Sequence, residues 1–224
     1  MKLAPAVPIL LVLASGWVSL SCADIAAPTR SQVYEWRLIT TSGPGTTDTL
    51  SFHWPRSRLP VRIWAEETLD LPGHVQNGIQ QWKSAFLYGE FDAVRVPDSN
   101  AADVIVTSQV ALKDGFFGAR LATSAAPECE GGTDILLPPG SRQIQLPIRV
   151  FVTPRFDPAS PGVAECLALT TTHELGHAIG IFAHSPVATD IMHSDPTVSG
   201  LSARDRATVE RAYHLDPNLT ATAR

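Results

Sequence analysis

The sequence predicts an α/β fold with a mostly parallel sheet, and three observations carry that prediction. The chain has 224 residues, 44% of them hydrophobic and 17% charged, which suits one domain with a substantial core. A strand pattern at 59–64, a helix pattern at 74–87 and a second strand pattern at 102–107 follow one another, the alternation that pairs parallel strands through a crossover helix. Further strand patterns at 143–146 and 149–152 then lead into a long helical pattern at 164–179.

Taken in chain order, residues 1–23 read as an export signal. Met1-Lys2 is a short positive start, Ile9 to Ala14 opens an apolar core, and Ser19-Leu20-Ser21-Cys22-Ala23 offers small residues for cleavage. A retained transmembrane helix fits poorly, because the apolar run falls short of the ~20 residues that span a bilayer and carries Pro5, Pro8 and Gly16. Cleavage after Ala23 competes with cleavage before Cys22, which would leave a cysteine resembling that of a bacterial lipoprotein. Either way the expected location is outside the cytoplasm: periplasmic, extracellular or anchored to the cell envelope. Residues 24–50, rich in Thr, Ser, Gly and Pro, are expected to form a flexible arm with a turn at Thr41 to Gly45. The globular domain is expected over 51–218, with a short tail at 219–224.

Within that domain, residues 59–64 alternate apolar and polar as a strand does. Val75, Ile79, Trp82 and Phe86 recur at helical spacing, so the helix over 74–87 is expected to pack that stripe on the sheet. Leu169, Leu175 and Ile179 give the later helix its buried positions. Ser202 followed by Asp205 forms a capping box that opens a last helix, with Val209, Ala212 and Tyr213 on its buried face. With Cys22 set aside, Cys129 and Cys166 are left as an even pair, and a disulfide between them is expected in an oxidising compartment.

Net charge is −5, and no run of lysine or arginine occurs. Nucleic-acid binding and electrostatic attachment to acidic membranes are therefore excluded as expectations. Membrane contact is expected only through a lipid on Cys22.

The chemistry is concentrated in His173-Glu174-Leu175-Gly176-His177-Ala178-Ile179-Gly180-Ile181-Phe182-Ala183-His184-Ser185. His173 and His177 lie one helical turn apart, so their imidazoles share a face and can grip one metal ion. Glu174 is placed to reach a water on that ion without being a ligand. Gly180 can end the helix in a left-handed conformation and bring His184 back to the same ion. His193 and Asp190 are the other candidates for third ligand, because zinc accepts imidazole nitrogen or carboxylate oxygen. The plainer alternative is a helix carrying two solvated histidines. Against it stand the apolar helical run before the motif, the glycine and histidine after it, and Met192, one of two methionines in the chain.

These residues, with Ser185, Met192 and Leu201-Ser202, resemble the metzincin superfamily of zinc peptidases and, within it, the matrixin-like group, over residues 59–215. The resemblance implies a zincin-type fold: a twisted, mostly parallel sheet, an active-site helix with another helix beneath, and a small C-terminal subdomain ending in a helix. It implies one catalytic zinc ion held by His173, His177 and His184, Glu174 as general base, and Met192 as an apolar floor under the metal. A structural calcium ion is compatible with the group, but no motif indicates one. The usual spacing would put the third histidine at position 183, which is Ala183, so the loop before His184 is expected to bulge by one residue. The implied partner is a protein or peptide substrate extended along the edge strand, cleaved by a monomer. Residues 114–125, with Gly115-Phe116-Phe117-Gly118, are a candidate cleft wall, although ordinary core burial is the preferred reading of Phe116 and Phe117. The alternative function is an exported or lipid-anchored binding module that keeps the metal without cleaving. Glu174 argues against it, since metal binding alone has no use for a carboxylate there.

Overall fold

A computed structural model of the chain describes residues 32–41, 45, 47–109, 119–120 and 128–222. The predicted export segment, with Cys22, and most of the candidate wall at 114–125 lie outside the described residues. Nine strands and three α-helices run in the order β1 (Leu38–Thr41), β2 (Thr47–Leu50), β3 (Val61–Ala65), α1 (Leu71–Lys83), β4 (Ala93–Arg95), β5 (Val104–Thr107), β6 (Ala119–Arg120), β7 (Cys129–Leu136), β8 (Gln143–Pro154), α2 (Val163–Ala178), α3 (Ala203–Tyr213) and β9 (Thr220–Ala221), counted among the described residues.

The main sheet has the order β4-β3-β5-β8-β7-β6. Strands β4, β3, β5 and β8 are parallel to one another, while β7 runs antiparallel to β8 and β6 antiparallel to β7. The fold is therefore mixed α/β with a mostly parallel sheet. Helix α1 begins earlier than its apolar stripe suggests, because Pro72 suits the first helical turn and Leu71 is buried beneath it. It packs against α2 closely: a Cβ on Gly78 would lie 2.8 Å from Leu175 Cδ1. Trp82 is a core residue, as expected, and its indole N–H donates to the Thr172 carbonyl of α2 at 2.8 Å.

Three expectations are corrected, and one further strand is added. The arm predicted over 24–50 is ordered structure in its second part: Tyr34, Trp36 and Leu50 are buried, and β1 pairs antiparallel with β2. Burial of large aromatic side chains outweighs a polar, turn-rich composition there. The tail predicted at 219–224 begins with buried Leu219, and β9 pairs parallel with the start of β8. The two strands read at 143–146 and 149–152 are one strand, β8, which continues through the cis Leu146–Pro147 bond; proline, lacking an N–H, imitates a strand break in the sequence. Strand β7 has no counterpart among the sequence patterns. Its two adjacent glycines carry little strand propensity, but each fits a neighbour that a side chain would strike: a Cβ on Gly131 would meet Thr170 Cγ2 at 2.4 Å, and one on Gly132 would meet the Phe151 ring at 2.5 Å.

Cys129, at the start of β7, and Cys166, in the first turn of α2, form a disulfide with their Cα atoms 6.0 Å apart. The strand and the helix that flank the site are thus cross-linked.

Candidate metal centre

Helix α2 carries the motif on its most enclosed part. His173, Glu174 and His177 have no solvent exposure, and His184 is partly buried. His173 Nδ1 lies 2.7 Å from the Ile191 carbonyl, and His177 Nδ1 lies 2.5 Å from the Ile181 carbonyl. A carbonyl only accepts, so each Nδ1 carries the proton and each Nε2 presents a lone pair. The three Nε2 atoms form a near-equilateral triangle: 3.1 Å between His173 and His177, 3.2 Å between His173 and His184, and 3.3 Å between His177 and His184. At least two of them are acceptors facing each other with no proton between, an arrangement that a cation relieves. Proton binding is opposed as well. Burial, then the neighbouring His184, pushes the His173 pKa down to about 3; burial and the two neighbouring histidines push His177 well below its ordinary value, and burial lowers His184. Neutral imidazoles are the form that binds metal.

The third histidine is placed by contacts from far along the chain. Gly180 ends the helix at φ +117°, where a Cβ would lie 2.1 Å from the Phe52 carbonyl oxygen, so glycine is required twice over. Beyond it, the Trp36 carbonyl accepts from the N–H groups of both Phe182, at 2.6 Å, and Ala183, at 3.0 Å. The Phe182 ring stacks parallel to Phe52 with centroids 6.4 Å apart. Ser185 N–H then donates to the Met192 carbonyl at 2.8 Å. The one-residue extension before His184 is thereby pinned by Trp36, inside the stretch whose composition predicts an arm.

The rival ligands do not join this triangle. His193 turns its Nδ1 to the backbone of Asp195, accepting from the N–H at 3.0 Å. Asp190 is buried, accepts from the Ser185 hydroxyl, and pairs with Arg204 Nε at 2.9 Å. Among the described residues, the group of histidine, cysteine or acidic side chains that could hold a metal is His173, His177 and His184. Met192 is fully buried beside the motif helix; a Cβ on Gly176 would be 2.3 Å from its sulfur. The turn that carries it is held by Asp205, whose carboxylate accepts from Ile191 N–H at 2.9 Å, from Ser202 N–H at 2.9 Å and from the Tyr34 hydroxyl at 2.9 Å. Burial first, and Asp205 second, raises the Tyr34 pKa, which keeps that hydroxyl a donor.

On the other side of α2, Thr133 of β7 places its hydroxyl 2.8 Å from Glu174 Oε2. Strand β6 lies along the outer edge of β7, pairing Ala119 with Ile135 and Arg120 with Asp134. No sequence pattern marks Gly131, Thr133, Trp36 or Tyr34, and Asp205 is legible only as a helix cap. Their partners lie far away in sequence, so no local spacing signals them. No protein-family model matches the chain, and no curated protein is significantly similar to it. The chemistry of the site therefore rests on its own geometry.

Proposed function

We propose that this protein is an exported zinc endopeptidase of the metzincin, matrixin-like kind, cleaving protein or peptide chains as a monomer. The observation that carries this reading is the Nε2 triangle of His173, His177 and His184, with sides of 3.1, 3.2 and 3.3 Å, beside the buried carboxylate of Glu174. Tetrahedral zinc with Zn–N near 2.0–2.1 Å holds its nitrogens about 3.3 Å apart, so the donor set fits this ion without rearrangement. Three imidazoles with no thiolate also belong to catalytic rather than closed structural zinc sites. The mostly parallel sheet, the motif helix, the buried methionine turn and the capped last helix support the family resemblance in the same order along the chain.

When bound, zinc supplies Lewis acidity, making water a nucleophile near neutral pH and polarising a carbonyl. The chain supplies the rest. His173 and His177 are held in one tautomer by the Ile191 and Ile181 carbonyls, which fixes the direction of their lone pairs. Glu174 takes a proton at its carboxylate from the attacking water and delivers it to the departing amine. Its burial excludes bulk water that would compete for that proton. Because His173 and His177 are enclosed while His184 is partly exposed, a substrate approaches from the His184 side.

The test is to compare the zinc-loaded mature protein with Glu174→Ala on unstructured protein substrates. Removing a general base costs ~10²–10⁴ in rate, so the variant should keep its zinc and fold and lose cleavage by that factor. Equal cleavage by the two, or none by the wild type across a diverse peptide library, would replace the peptidase with a metal-holding binding module.

A further inference from the structure

The geometry points to Thr133 as a positioning residue that sets the side-chain conformation of Glu174, with Gly131 leaving the space in which that conformation fits; this rests on the peptidase reading. A glutamate has several rotatable bonds, and a general base must be held to a narrow range of positions to be useful. Helix spacing fixes only where the Glu174 backbone lies. Its carboxylate, fully buried, needs donors to offset lost hydration. Thr133, itself fully buried, has its hydroxyl 2.8 Å from Glu174 Oε2 and 3.1 Å from the Glu174 carbonyl oxygen. The hydroxyl has one proton to donate. The charged acceptor at the shorter distance takes it, since hydrogen bonds to an ionised group are the stronger ones.

A threonine anchor is itself stiff, because branching at Cβ restricts its rotamers. The strand beneath it is fixed too: β7 is paired with β8 along most of its length and tied to α2 by the Cys129–Cys166 disulfide. Two positions earlier, and so on the same face of the strand, Gly131 supplies an independent sign of the same design. A Cβ there would stand 2.9 Å from Glu174 Cγ and 3.0 Å from Glu174 Oε1. A Cβ at 131 would collide with Thr170 Cγ2 and crowd Glu174 as well, so glycine there leaves room for both side chains. The pair explains why a strand facing the motif helix carries glycine where strand propensity disfavours it.

Thr133→Val keeps the volume and the branching and deletes the hydroxyl; Thr133→Ser keeps the hydroxyl. A hydrogen bond to a buried charge is worth roughly tenfold to a hundredfold in an equilibrium or a rate, so Thr133→Val should lower kcat by that factor, leaving KM and zinc content unchanged. Thr133→Ser should restore most of the rate. Wild-type kcat in Thr133→Val, a loss confined to KM, or no rescue by serine would overturn the assignment. Thr133→Ala deletes the same hydroxyl and serves if the valine variant does not fold. A crystal structure of metal-free Thr133→Val separates this inference from the peptidase reading. If the wild type cleaves nothing, a displaced Glu174 carboxylate in the variant still supports the role of Thr133, and an unmoved one overturns it.

Discussion

His173 and His177 are placed by the period of a single helix, whereas His184 is placed by residues from the opposite end of the chain. The first two need only α2 and two carbonyls that orient their rings. The third needs the Trp36 carbonyl, the Phe52 backbone and ring, and the turn through Met192. A helix admits no insertion between its ligands, because one extra residue rotates the second by ~100° about the axis. The loop to His184 tolerates one, since its backbone is anchored on both sides of the extension. Rigidity of the centre is thus local in one half and tertiary in the other, and the two halves should fail differently.

The largest expected effect of breaking the tertiary half comes from Gly180→Ala. The substitution forces a side chain onto φ +117° and toward the Phe52 carbonyl oxygen at 2.1 Å, and backbone strain of this kind costs about 3 kcal/mol. Urea unfolding should show that loss, and zinc titration of the folded fraction should show weakened binding. Unchanged stability would mean that the loop to His184 is not held by its contact with residue 52.

A separate effect, read through pH, probes the helical half in metal-free protein. His173 is neutral when folded down to about pH 3, whereas an unfolded histidine takes up its proton below about 6.5. The unfolded state then binds more protons, so stability is constant above pH ~6.5 and falls as the pH drops toward the folded value, by about 1.4 kcal/mol per pH unit for each such histidine. Denaturant midpoints between pH 8 and 4 measure this. The slope should shrink in His173→Gln; an identical slope in the variant would show that the enclosure of His173 does not govern it.

The same division explains what the sequence made legible. Helices α1, α2 and α3 announce themselves through periodic apolar residues and, for α3, through the Ser202 and Asp205 cap, because both partners of each signal lie within a few positions. Strand β7 stays hidden because Gly131 and Gly132 answer to Glu174, Thr170 and Phe151, none of them near in sequence. Tyr34 and Trp36 sit in a polar, turn-rich stretch whose composition suggests an arm, and only the fold reveals that Asp205 and the loop at 182–183 receive them. The candidate ligands could be named from spacing alone. Choosing His184 over His193 and Asp190 required seeing which three donor atoms converge, and that Asp190 is already bonded to Ser185 and Arg204.

The central claim is that His173, His177 and His184 together hold one zinc ion beside Glu174. Anomalous diffraction at the zinc edge, from crystals of the mature protein grown with stoichiometric zinc, tests it most directly. The account predicts one full-occupancy peak bonded to the Nε2 atoms of these three histidines, with no fourth protein ligand. A peak bonded to His193 or Asp190 instead, or no peak at the triangle, would contradict it.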